Sequence, residues 1–407
     1  MDGGELVLEG DITVPNALLL TSHNLVVADS TLPDIPQGFS LVGESLWKTF
    51  ADINAVGLSA HQTLRFAGDI DLSAKKRIIL RAGLIGTTVS APESRVFMSA
   101  AQIAVEGSET AAPEQLGTQG GLLSMTADDI TIGPGKVAVA DFADVRLNSR
   151  RGMTFFGRGS LDAAGDLTLQ TSRLTAAYRE TEKGRYETAD YAVSSSGTLN
   201  LLDNGEAVGP TNSVGGRLTF HADTIMQQNT VALTGGTVRY RSGAGGLTLG
   251  EGAAVDVKGN TDVAGGNVVL ASEGLLTIAA GATVDVSAGV QGDAGSIAVS
   301  APEASVGLFG EMRGAADGGQ GGRLALDAAG IQAAAQGSGN AFSDLNGILA
   351  TGGFDETMDL RLRDQDILIA SDQVVRVRSF KLVTDKGRLE VAGTIDASGA
   401  ASGGSIA

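Results

Sequence analysis

The run from Leu247 to Val299, L-T-L-G-E-G-A-A-V-D-V-K-G-N-T-D-V-A-G-G-N-V-V-L-A-S-E-G-L-L-T-I-A-A-G-A-T-V-D-V-S-A-G-V-Q-G-D-A-G-S-I-A-V, decides the fold because it repeats itself. Leu247 and Leu276, Val255 and Val284, Gly266 and Gly295, and Leu270 and Val299 each stand 29 residues apart. Every unit holds three short alternating apolar runs (Leu247 to Leu249, Val255 to Val257, Val268 to Leu270) separated by Gly, Ala, Asn and Asp. That pattern reads as three strands and three turns, with an enlarged loop between the second and third strands, 259–265, which recurs at 288–294. A fixed period of this length predicts a stacked array.

Working outward, the same punctuation covers most of the chain. It is present in L-R-F-A-G-D-I-D-L-S (Leu64 to Ser73), D-I-T-I-G (Asp129 to Gly133), V-R-L-N (Val145 to Asn148), M-T-F-F-G (Met153 to Gly157) and D-L-T-L-Q (Asp166 to Gln170). These runs are shorter than the strands of a sandwich. The expected fold is all-β: a single-stranded right-handed parallel β-helix, continuous over residues 1–407, with short loop and hairpin excursions. Stacked about 4.8 Å apart, its coils would form a rod of roughly 65 to 100 Å.

Three segments break the pattern. Across 37–57 the residues Phe39, Val42, Leu46, Phe50 and Ile53 fall at helix spacing around Trp47, the only tryptophan. This reads as a lid-like helix or an irregular bulged insertion. Residues 174–193 are polar and carry three of the four tyrosines around Glu182-Lys183-Gly184, a hairpin excursion. Residues 315–354, with G-G-Q-G-G and I-Q-A-A-A-Q-G-S-G, read as a looser coil region.

Composition agrees. With 58 glycines, 4% aromatics and 43% hydrophobic residues in 407, the chain describes many tight turns around a thin aliphatic core. A net charge of -18 repels a phosphate backbone, so no nucleic-acid partner is expected. The absence of cysteine fits export through an oxidising compartment. The acidic start Met1-Asp2-Gly3-Gly4-Glu5 lacks the basic region of a signal peptide, and neither end reads as a polar cap. The expectation is a fragment of a longer chain whose export signal lies elsewhere.

The run V-A-D-F-A-D-V-R-L-N-S-R-R-G-M-T-F-F-G-R-G-S-L-D-A-A-G-D-L-T-L-Q (Val139 to Gln170), with L-R-F-A-G-D-I-D-L-S-A and the closing G-T-I-D-A-S-G, resembles the filamentous haemagglutinin-like large exoproteins of Gram-negative bacteria. The resemblance covers nearly the whole chain and implies a shaft segment of a two-partner secretion substrate. It implies an outer-membrane secretion partner that acts on a region outside this segment, and an extracellular or cell-surface location. The family's amino-terminal N-P-N motifs are missing, which assigns the segment to the shaft. The expected work is mechanical: a monomeric shaft of an adhesin projecting an adhesive or effector region. The alternatives are a shaft for contact-dependent toxin delivery and a carbohydrate-active, pectin-hydrolase-like β-helix.

No enzyme activity, cofactor or metal is expected. Asn260-Thr261-Asp262 matches the N-T-D of β-helical pectin hydrolases, but Asp128-Asp129 precedes it where a D-D pair should follow, and His23, His61 and His221 lack flanking glycines. The histidines have no metal spacing. Asp256 and Asp285 occupy equivalent places, with Asp396 similar; the valines beside them would point inward and stack the carboxylates one coil apart, where a cation could relieve them. The plainer reading is a solvated aspartate opening a turn. Contacts with host-cell or matrix glycans or receptors are assigned to the hairpin, through Tyr178, Arg179, Lys183, Arg185, Tyr186 and Tyr191, because departures from a repeat map to loops on a binding face.

Overall fold

A computed structural model describes residues 16–30, 37–108, 117–118, 120–209, 213–332, 340–398 and 403–407. By its contacts the chain divides into two compact units, Met1–Gly209 and Pro210–Ala407. The described residues are all-β, with parallel strands that close into a ring.

In the first unit Ala17–Ala28 pairs in parallel with Ala55–Ala67, which pairs with Arg77–Arg81 and Leu84–Thr87. Arg77–Arg81 leads on to Arg95–Glu106, then Gly120–Ile132, then Phe142–Phe156. Each strand finds its partner in the next winding, running the same way. Successive side chains of a strand alternate between faces, so in-register stacking aligns like with like. Val56, Ile78, Ile103, Ile130, Met153 and Leu174 form one such column, and all six are buried.

The second unit repeats the arrangement on the predicted period. Leu247 pairs with Leu276, Val255 with Val284 and Leu270 with Val299. A column runs Leu218, Val238, Val268, Ile297, Leu324, Met358, Phe380. Beside it Phe220 and Tyr240 stack with ring centroids 5.2 Å apart, and the buried Tyr240 hydroxyl donates to Gln227 Oε1 at 2.5 Å. Burying each such aliphatic side chain contributes about 1.5–3 kcal/mol. The core therefore outweighs the exposed ion pairs, worth about 0–1 kcal/mol each.

Those ion pairs join consecutive windings on the outer face: Arg81 with Glu106 (2.5 Å), Arg150 with Asp128 (2.8 Å) and Arg151 with Asp129 in the first unit. In the second, Asp327 meets Arg363 (2.7 Å), Asp359 meets Lys381 (3.0 Å), Arg361 meets Asp385 (2.9 Å) and Asp364 meets Lys386 (2.9 Å). Hydrogen bonding to Arg150 and Arg363 holds the Asp128 and Asp327 carboxyls below their ordinary range.

The windings are more continuous than the sequence punctuation implied. Val145 to Asn148 and Met153 to Phe156, read as parts of separate runs, belong to one strand, Phe142–Phe156, that turns a corner at a register shift between Ser149 and Gly152. The bulge supplies the corner without ending the hydrogen-bond ladder. The enlarged loops stack as well: Gly259 N–H donates to Ser287 O (2.8 Å) and Gly265 N–H to Asp293 O (3.0 Å). This approach needs glycine, since a Cβ at Gly295 would lie 1.7 Å from Gly266 O.

The insertion at 37–57 combines a short strand, Ser40–Val42, laid parallel on Leu25 to Val27, with helical turns. It contains α1 (Glu44–Trp47) and a 3-10 turn, Lys48–Asp52, and buries Leu46, Trp47, Phe50 and Ile53. Trp47 Nε1–H donates to Ala28 O at 2.9 Å, so the indole is a packing element. Glu44 accepts from Ser30 N–H (3.0 Å) and pairs with Lys48 (2.5 Å); these contacts, Lys48 first, hold its carboxyl down at about 2.

Residues 315–354 begin as an irregular stretch to 322 and then take regular structure. They contain the strand Arg323–Gln332 and a 12-residue helix, α2 (Ala341–Gly352); the small-residue run at 333–339 lies outside the described residues. Asn340 caps α2 by accepting from Phe342 N–H (3.1 Å) and Ser343 N–H (3.4 Å), and Gly353 closes it in the left-handed region at φ 79°. Phe342, Leu345 and Leu349 form its buried stripe.

Candidate functional site

The hairpin expected at 174–193 forms. Arg179–Glu182 pairs antiparallel with Arg185–Glu187, and Gly184 turns the chain at φ 78°. Lys183 sits exposed at the tip; Glu180 accepts from Gly184 N–H at 2.8 Å and Glu182 pairs with Arg185 at 3.2 Å. At its base Arg158 reaches Glu187 at 3.3 Å. Tyr178 and Tyr186, 48% and 62% exposed, meet edge to face with centroids 5.4 Å apart. The side chain of Arg179 lies outside the described residues.

Tyr191 does not join this surface. It is 1% exposed, its ring lies 5.2 Å from Phe155, and its hydroxyl donates to Ser160 O at 3.1 Å. Burial, reinforced by Asp162, pushes the phenol upward. Its strand, Asp190–Ser195, pairs in parallel with Arg158–Ala163, so alternation turns Tyr191, Val193 and Ser195 inward together. A partner contact at Tyr191 is thereby corrected to a core role. The hairpin is left with two exposed aromatic side chains, Tyr178 and Tyr186, and the exposed cations Lys183 and Arg185.

The other candidates resolve into turns. Asn260 Oδ1 accepts from Asp262 N–H at 3.1 Å, so the N-T-D forms a side-chain-closed turn within a stacked loop. Asp128 and Asp129 are engaged by Arg150 and Arg151. Asp256 and Asp285 do stand opposite each other with Val255, Val257, Val284 and Val286 buried beside them. Asp285 accepts from Ser287 N–H (2.9 Å) and Oγ (2.6 Å), Asp396 accepts likewise from Ser398, and Asp256 has Lys258 at 3.6 Å. Their oxygens close turns. The Ser398 hydrogen bonds hold the Asp396 carboxyl below its ordinary range.

A cleft of about 540 Å³ beside α2 is lined by Phe342, Leu362, Asp366, Leu368, Arg388 and Glu390. Its carboxylates are used internally: Asp366 accepts from Arg388 N–H at 2.7 Å, and Glu390 pairs with the Arg388 side chain at 3.0 Å. Among the described residues no group of three or more His, Cys, Asp or Glu side chains converges as a metal centre. The fold does bring together two side chains that the sequence left scattered: the His23 and His61 rings lie 6.3 Å apart. They stand 38 positions apart across the helical insertion, outside any repeat period, so spacing alone gave no signal. No protein-family model, curated protein or solved structure matches this chain significantly.

Proposed function

We propose that the chain is a right-handed single-stranded parallel β-helix serving as a shaft segment of a secreted or surface-attached exoprotein of the filamentous haemagglutinin-like kind. In this reading it acts as a spacer that carries an adhesive or effector region away from a bacterial cell and performs no catalysis itself. An outer-membrane partner would export the whole protein, and the hairpin at Tyr178, Lys183, Arg185 and Tyr186 would be its contact point for glycans or receptors. The observation that carries the reading is the in-register stacking of whole windings, strands and loops alike, on a 29-residue period. Each winding of such an array buries its apolar face on its neighbours, which suits an element whose length is its product.

A spacer tolerates loss of one winding. Excising 247–275 joins Gly246 to Leu276 in the register that Leu247 held. The shortened chain should keep its β-sheet circular dichroism and cooperative unfolding, and an exoprotein carrying it should keep its secretion and attachment. Loss of attachment or of a measurable turnover from that excision, with folding intact, would assign the segment a direct chemical role instead.

A further inference from the structure

We propose that His23 and His61 form a two-imidazole site for a late first-row divalent cation such as Cu²⁺, Ni²⁺ or Zn²⁺. His23 lies in Ala17–Ala28 and His61 in the adjacent parallel strand Ala55–Ala67. The register between these strands slips there: Ser22 faces Ala60, but Asn24 faces Thr63, so His61 and Gln62 together oppose His23. Such a bulge re-aims side chains at a corner. It turns both histidines outward, exposed, with ring centroids 6.3 Å apart and ring planes at 37°. At the same corner of the following strand the chain carries Ala82 and Gly83, both buried, with Gly83 N–H donating to Gln62 O at 3.1 Å.

The geometry suits a bridging cation. With metal–nitrogen bonds of about 2.0–2.1 Å, each ring centroid lies about 3.2 Å from the metal; the two centroids are then about 5.2 Å apart at a tetrahedral angle and about 6.4 Å apart when opposed. The observed separation falls within that range. Exposed histidine side chains turn freely enough to adjust the angle, and water completes the coordination. Imidazole donors select Cu, Ni and Zn over the hard cations Mg²⁺ and Ca²⁺. The net charge of -18 concentrates cations of every kind near the surface, so selectivity is the property that marks this site.

The test titrates Cu²⁺ and Zn²⁺ into the full chain in millimolar excess Mg²⁺, by calorimetry and by electron paramagnetic resonance of the Cu²⁺ form. One cation per chain should bind, Cu²⁺ more tightly than Zn²⁺, with coupling to two imidazole nitrogens. His23→Ala and His61→Ala should each weaken binding by on the order of tenfold or more and leave one coupled imidazole, as expected when a ligand is lost. His221→Ala, elsewhere in the chain, should change nothing. Circular dichroism checks that the variants stay folded. Binding that Mg²⁺ abolishes, or that survives both substitutions unchanged, would overturn the proposal and assign the cation to carboxylates or the chain terminus.

Discussion

Gly295→Ala should destabilise the second unit by roughly 2–6 kcal/mol. The added Cβ would lie 1.7 Å from Gly266 O and 2.9 Å from Gly265 C, both backbone atoms that cannot swing aside. Restoring an ordinary contact needs the two windings to part by about 1.5 Å locally, which exceeds what a hydrogen bond tolerates. The bonds at stake between the windings are Ser296 N–H to Gly266 O (3.2 Å) and Gly265 N–H to Asp293 O (3.0 Å). Leaving two backbone pairs between the windings unmade costs about 1–3 kcal/mol each, which sets the range. Gly347→Ala is the internal control. It sits mid-helix in α2, a Cβ there meets nothing within 4 Å, and the change should stabilise by about 0.5–1 kcal/mol. Urea denaturation of both variants, with hydrogen exchange to locate the change, measures the difference. A loss below about 0.5 kcal/mol for Gly295→Ala would refute the argument that the loops are held at backbone contact.

Tyr240→Phe leaves Gln227 Oε1 without its 2.5 Å donor in the core and should cost about 1–3 kcal/mol by denaturant midpoint, whereas Tyr186→Phe should cost nothing measurable. Asn340→Ala removes the α2 cap and should cost about 1 kcal/mol, most of it regained in Asn340→Ser, as followed by thermal unfolding. The Glu44, Asp128, Asp327 and Asp396 carboxyls titrate lower folded than free. Their contribution is therefore complete above the ordinary carboxylate range and is lost as pH falls, for Glu44 between 4.5 and about 2. Denaturant midpoints should hold steady down to about pH 5 and then drop; a midpoint that rises on acidification would contradict the sign.

The fold was legible where the sequence period and the winding coincide. Leu247 and Leu276 are equivalent in the text because they are neighbours in space. The helix α2 was missed although Asn340, Phe342, Leu345, Leu349 and Gly353 carry its cap, stripe and stop. Gly347 in its middle and the glycine- and alanine-rich run before it masked the periodicity. Tyr191 was assigned to the surface by company with Tyr178 and Tyr186; the alternation of D-Y-A-V-S, with Val193 inward, already placed it in the core. The His23–His61 pair could not be read from spacing, because the residues between them fold into α1 and a turn instead of a regular winding.

The outer ion pairs do something that their small energies conceal. A parallel strand can slide two residues along its neighbour and still present its apolar side chains inward, so the core alone does not fix alignment. The outer face does. Asp359 faces Lys381 in the native alignment, and a two-residue slide would set Arg361 opposite Lys381. Like charges directly opposed are unfavourable where the native pair attracts. The opposed signs at this pair thus work as a proofreading mark, written on the outside of a molecule whose inside is too uniform to be read only one way.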